Sequence, residues 1–352
     1  MTPIPKLDRG AANSGCSRLS AGAGPPERRL QARLPAPQNR IQWGRLSAGG
    51  GLSTRLFLLL LTSLHPAALP AQTTVAIVTT SDVEAYAEAL DGLKSGLAGA
   101  SAEIRVFQLE KKGGKPSVPA TFAAPQHGLV VAIGSEAALA LSQVPIDAPV
   151  LVTMILRSDA DSSTTRRNKT LATIALDVPM DALAVRLKQV FPGKTRLGIL
   201  LSPDWPGSSS AGLQAQAAQH GLTARVAVCS RAEDVLAAFL SLKGHADFVW
   251  CLPDSSLYNS VTVQALLLAS LNNRIPIIGF SSSFVRAGAL MGIYPDFREV
   301  GTQTAEAVRN YLAGRPLPTF ETPRVFRVAV NQRVQRLLGI ETSISKEVAL
   351  FR

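Results

Sequence analysis

Histidine and cysteine are scarce in this chain: four and three in 352 residues. His65 lies in an apolar N-terminal stretch and His127 precedes a strand-like run. His220 and His245 stand beside Gly221 and Gly244 at expected helix ends, where a positive or polar side chain suits the helix C-terminus. None has metal-ligand spacing to a cysteine or a second histidine, so no metal is expected. The chain also lacks a G-x-S-x-G elbow, a P-loop and a G-x-G-x-x-G following its first strand. No nucleophile and base can be nominated to converge, so neither an enzyme nor a cofactor is expected.

Long apolar runs are missing too. Leu56 to Leu61 reads LFLLLL, and the apolar stretch ends near Leu69. That is the length of a signal-peptide core and too short to span a bilayer. Arg45 and Arg55 precede it, Leu69-Pro70-Ala71 closes it with a small residue, and Pro66 and Pro70 argue against a buried core helix. A leader over residues 1–71, removed before Gln72, is therefore expected. No cysteine follows the stretch, so the expectation is a product of the periplasm without a lipid anchor. Residues 1–50 are long, basic and aperiodic for a leader, and no Met occurs between Met1 and Met154, which leaves a later translation start open.

The leader also carries most of the charge. The chain is +11, but nine Lys or Arg against two acids lie in residues 1–71, leaving 27 against 23 in the remainder. Basicity thus gives no reason to expect nucleic acid as a partner. Cys16 falls in the leader. Cys229 and Cys251 sit in the runs RVAVCS and FVWCLP, expected as the second and third strands of a sheet with the first strand between them. Their Cα atoms would then exceed the about 7 Å that a disulfide permits, and two buried thiols follow.

From Val75 onward, short apolar runs alternate with amphipathic segments. The first series places strands at 75–78, 104–109, 129–133, 150–155 and 171–176, with helices at 83–97 and 136–141. The second begins with helix 180–190 and continues through strands at 197–200, 223–228, 248–252 and 275–278. Its other helices lie at 210–220, 233–242 and 261–272. Such alternation predicts α/β architecture with parallel sheets covered on both faces, and two series predict two doubly wound lobes.

The C-terminal passage is the most specific. Strand Ala289 to Ile293 runs into Tyr294-Pro295-Asp296. A helix with Val300, Ala305, Val308 and Leu312 on one face follows, then Gly314 at a left-handed cap with Pro316 and Pro318 beyond. Strand Val325 to Val330 and a helix from Gln332 to Leu338 end the pattern. This passage resembles the end of the substrate-binding proteins of ABC transporters, in the family with a type 1 periplasmic-binding-protein fold. The counterparts are Gly301, Gln303, Ala305, Leu312, Gly314, Val330, Asn331, Leu338 and Gly339. The resemblance implies a monomeric receptor that closes on a small molecule and delivers it to an ABC-type permease with a cytoplasmic ATPase. A sensory receptor of the same fold, feeding a membrane kinase or chemoreceptor, is the alternative. It also implies three crossings, near Asp177, Gly288 and Pro318. Lobe one is then 72–177 and 289–317, and lobe two 178–288 and 318–352.

Open parallel sheets bind ligands beyond the carboxyl ends of their strands, where strand order reverses. The candidate ligand contacts are Thr80, Ser81, Gly134 and Ser135 from lobe one. Lobe two supplies Asp204, Trp205, Asp254, Ser255, Phe280 and Ser281, and Tyr294 and Asp296 lie at the last crossing. Ser81 and Ser135 precede helices, where serine caps the N-terminus and the free N–H groups suit an anion. Asp254 either begins a turn or meets a ligand ammonium. Trp205 follows a strand as a lid or a lobe contact, and aromatic walls suit an apolar or planar body. Together these describe an amino-acid-like solute. The first loop departs from the family's frequent His-Pro pair, reading Ser81-Asp82-Val83-Glu84.

Overall fold

The computed structural model describes residues 73–80, 82–122, 127–157, 159, 170–205, 209–341 and 348–351. The expected leader lies outside these residues. The first series comprises β1 (Thr73–Thr79), α1 (Glu84–Gly96), β2 (Ala102–Gln108), β3 (Glu110–Lys112), β4 (Lys115–Ser117), β5 (Leu129–Ile133), α2 (Ser135–Ser142), β6 (Val150–Ile155) and β7 (Thr170–Ala175). The second comprises α3 (Met180–Val190), β8 (Arg196–Leu201), α4 (Ser210–Gln219), β9 (Thr223–Val228), α5 (Val235–Ser241), β10 (Phe248–Cys251), α6 (Ser260–Asn273), β11 (Ile277–Gly279), α7 (Ser282–Ala287) and β12 (Met291–Pro295). The tail adds α8 (Phe297–Leu312), β13 (Phe320–Glu321), β14 (Phe326–Asn331), α9 (Gln332–Leu338) and β15 (Val348–Phe351).

These strands form two large sheets, ordered β13-β7-β6-β5-β1-β2 and β15-β14-β12-β11-β10-β8-β9. All pairs in the first are parallel, and in the second only β12–β14 is antiparallel. In each sheet the opening strand lies between its second and third, so order reverses at β1/β5 and at β8/β10. β5 and β6 are buried along their whole lengths. Alternate residues serve opposite faces: Ile77 and Val131 pack towards α1 and α8, while Val78 and Val130 pack towards α2. The second sheet repeats this, with Ile199 and Trp250 in one cluster and Leu200 and Cys251 in the other. Cys229 and Cys251 are free and buried, and burial pushes their thiols up to about 11 and about 12.

Two boundaries differ from the sequence expectation. β12 pairs with β11 and with β14, Tyr294 standing opposite Arg327, so the chain crosses at Asp296 rather than near Gly288. Phe320 and Glu321 pair with Thr173 and Ile174 in the first sheet, which moves the third crossing beyond Glu321 instead of near Pro318. The first crossing falls between β7 and α3, at Asp177.

Helix α8 packs on α1 with almost no spacing. A Cβ at Gly92 would overlap the Arg298 carbonyl, and one at Gly301 would overlap the Ala89 carbonyl. Glycine at both positions lets the two backbones touch, which fixes α8 to the first lobe although it directly follows β12 of the second sheet.

Candidate functional site

The first and third crossings border a cavity of about 240 Å³. Arg157, Asp177 and Thr322 line it from the first sheet and the crossing segments. Met180, Trp205, Leu213, Trp250 and Leu252 line it from the second series. It lies at the carboxyl ends of β8 and β10, one of the two reversals in strand order.

Arg157 is held there by two contacts. Its backbone N–H donates to Asp177 Oδ2 at 3.0 Å, and its guanidinium carbon stands 3.7 Å from the centre of the Phe320 ring. A bulge precedes it. The β6–β7 register slips between Thr153 and Ile155, and Met154 between them has φ +60° while almost fully buried. Positive φ is costly for an unbranched L side chain, so the surrounding sheet imposes this turn. It carries β6 into the loop that brings Arg157 to Asp177. Among the described residues no carboxylate forms an ion pair with the Arg157 guanidinium. Burial raises the Asp177 carboxyl above the ordinary carboxylate range, while the Arg157 N–H and charge oppose the rise. The wall thus offers a cation, a partly desolvated carboxyl and two indoles.

The residues expected from sequence are distributed differently. Trp205 lines the cavity, half-buried against the second lobe's core. Asp204 is exposed beside it, and Ser255 is exposed in the turn after β10. The carboxylate of Asp254 accepts from Ser256 N at 2.9 Å and from Ser256 Oγ at 2.5 Å, the geometry of a turn. Phe280 packs against Tyr258 and Phe284, with ring centres 5.8 and 5.0 Å away. Ser281 caps α7, accepting from Phe284 N at 3.1 Å.

In the first lobe, Thr80 is buried and its Oγ1 accepts from Asp82 N at 3.5 Å. Ser81 lies outside the described residues. Ser135 does not cap α2. It is the first helical residue, and the cap is Gly134 at φ +91° with no side-chain bond. Burial raises the pKa of the Tyr86 hydroxyl while neighbouring Ser135 opposes the rise, and a Cβ at Gly134 would run into the Tyr86 ring. The protein's own phenol therefore occupies the space beside this helix start that an anion would need.

Asp296 and Tyr294 belong to the second crossing. Asp296 caps α8 by accepting from Glu299 N at 3.3 Å, and its two oxygens take Arg327 Nε and an Nη at 2.8 and 3.0 Å. Tyr294 is buried with Val285 and Ala329. Burial raises its hydroxyl's pKa, and nearby Arg327 and Arg286 oppose the rise. Arg157 stands just after the strand expected at 150–155, but Asp177 was read only as a crossing and Trp250 only as a strand residue. The missed signal was the company these residues keep, since Asp177 is twenty positions from Arg157 and both Trp residues follow from different strands.

Among the described residues no helix is long and apolar enough to cross a membrane. No curated protein sequence matches the chain. Among solved structures, a ligand-free, open substrate-binding protein with adhesive properties from Clostridium difficile is similar at 18% identity. It covers 80% of this chain and 99% of its own, with a TM-score of 0.59, and shows a shared fold. A protein described as an ABC domain in complex with L-Trp from Streptococcus pneumoniae is 18% identical over 80% of this chain and 99% of its own, with a TM-score of 0.49. A conserved domain protein from Vibrio cholerae is 19% identical over 80% of this chain and 100% of its own, with a TM-score of 0.49. The fold is that of the type 1 periplasmic binding proteins. The profile described as ABC transporter substrate binding protein matches residues 74–348, both lobes and all three crossings included, and the chain belongs to that family.

Proposed function

We propose that this protein is an extracytoplasmic solute receptor that closes its two lobes over the hinge cavity on an amino-acid-like solute. It then presents that solute to an ABC-type permease driven by a cytoplasmic ATPase. The observation that carries the ligand class is the cavity wall, where Arg157 and Asp177 meet Trp205 and Trp250. Arg157 suits a carboxylate because its fork of N–H donors matches two oxygens, and Asp177 suits an ammonium group. The indoles suit an apolar or flat body. About 240 Å³ falls short of the roughly 300–1,000 Å³ of drug-sized sites, which favours a solute on the scale of an amino acid. Two other expectations join this reading: that the chain is exported by its leader without a lipid anchor, and that it works as a monomer.

A thermal-shift screen of the purified protein against amino acids, purines, sugars and simple carboxylates tests the ligand class. A solute at 100 times its dissociation constant adds about 2.7 kcal/mol. Stabilisation by amino acids, accompanied by a change in tryptophan emission, is the expected result. Stabilisation by sugars or purines alone, with amino acids inert, contradicts it.

A further inference from the structure

Arg327 stands where three parts of the molecule meet. It lies on β14 of the second sheet, directly opposite Tyr294. Its Nε and one Nη grip the two oxygens of Asp296, the residue at which the chain leaves that sheet and starts α8. Its other Nη lies 3.4 Å from Glu88 Oε2 on α1, a helix of the first lobe.

The two carboxylates are held very differently. Asp296 is four-fifths buried at its side chain, bidentate with Arg327 and tied to the α8 backbone. Glu88 Oε2 is buried yet makes no hydrogen bond, so ion pairing with Arg327 is its only compensation among the described contacts. A charge within pairing distance but off the hydrogen-bond line is a weak grip. The mechanics differ too. Asp296 is the crossing point itself and stays beside Arg327 however the lobes turn. Glu88 is carried by α1, which the glycine contacts at Gly92 and Gly301 lock to α8 and hence to the first lobe. Rotation about the crossing therefore changes the Glu88–Arg327 distance while leaving the Asp296–Arg327 pair nearly intact.

We propose that Arg327 combines a pivot and a latch: its pair with Asp296 anchors the second crossing, and its pair with Glu88 biases the lobes towards the arrangement seen here. The inference rests on lobe rotation about the hinge but not on any particular solute. A ligand that closes or opens the lobes then works against one labile ion pair, which sets part of its apparent affinity through the population of the competent state.

The test is an inter-lobe distance measured in the full chain with Cys16→Ser, labelled at Lys94→Cys on α1 and Gln264→Cys on α6. Cys229 and Cys251 are buried with thiols raised to about 11 and about 12, so they resist labelling at neutral pH. Glu88→Gln keeps the shape and removes the charge. Without added solute it should lower the ratio of the main distance population to the others about two- to five-fold, the range of a partly exposed ion pair. High salt should do the same to the parent protein and add nothing to the variant. Asp296→Asn should instead lower the thermal midpoint.

A saturating mixture of the twenty L-amino acids gives the second arm. If the mixture moves the distance and Glu88→Gln does not, the latch is wrong and hinge motion stands. If neither moves it, the latch is wrong and so is the amino-acid reading; if Glu88→Gln alone moves it, the latch stands and the amino-acid reading falls.

Discussion

The turns that follow the second lobe's strands and the wall of the hinge cavity lie at the same carboxyl ends of the sheets, yet they use their polar atoms in opposite ways. In the turns the chain satisfies itself. Asp254 is bound to Ser256, Ser281 to Phe284, and Asp296 to Glu299 and Arg327. At the hinge, Arg157 is fixed by its backbone and by Phe320, so its guanidinium is oriented without forming an ion pair to a described carboxylate. A residue type at the right end of a strand therefore marks a candidate, but the remaining hydrogen-bonding capacity decides whether a ligand can use it. Self-satisfied turns position the backbone, and the hinge wall retains the chemistry.

The sharpest way to break this contrast is to remove the cation. Arg157→Met keeps much of the apolar stem and should weaken binding of a carboxylate-bearing solute by about 2–5 kcal/mol, measured by calorimetry. The first lobe offers a structural counterpart. Gly301→Val drives a branched side chain into the Ala89 carbonyl and should cost about 1–3 kcal/mol or more in denaturant unfolding, because α1 and α8 cannot both stay in place.

Optical readout comes next. Trp205 and Trp250 both line the cavity, and Trp43 is the chain's third tryptophan. A solute-dependent emission change should survive Trp43→Phe and shrink by about half with Trp205→Phe, each cavity indole contributing similarly. An undiminished signal in Trp205→Phe would place the solute elsewhere.

The smallest effect concerns acid stability away from the hinge. His127 is buried against Phe107 and Phe122, with ring centres 5.7 and 4.9 Å away. Burial, and then the charge of Arg105, hold its imidazole below the ordinary value of 6.5. A depressed folded value means the neutral ring's contribution is full above the unfolded value and is lost as pH falls through the folded one. His127→Phe should flatten that part of the stability profile. An unchanged slope of unfolding free energy against pH below 6.5 would show that the ring does not titrate with folding.

Sequence reached the architecture because alternation of short apolar runs with amphipathic helices is a local signal, and every long element of both series is present. Short elements escaped it. β13 has two residues, α7 has six, and β15 follows a polar stretch. The second crossing was misplaced because the antiparallel partner of Met291–Pro295 begins only at Phe326, a fact about pairing that no local window contains. The candidate site was legible as a set of loops, and Trp205, one of the expected residues, lines the hinge cavity. The pairing of Arg157 with Asp177, and the Tyr86 ring against Gly134, arise from tertiary contacts between residues twenty and forty-eight positions apart.

The central claim is that the hinge wall, and not the strand-end turns, holds the solute. The most direct measurement is a pair of titrations with one stabilising amino acid, using Arg157→Met and Asp254→Asn under identical conditions. The account predicts at least about a thirtyfold loss of affinity for Arg157→Met, equivalent to roughly 2 kcal/mol, and less than about a threefold change for Asp254→Asn. Full affinity in Arg157→Met together with a large loss in Asp254→Asn would contradict it and return the site to the turn after β10.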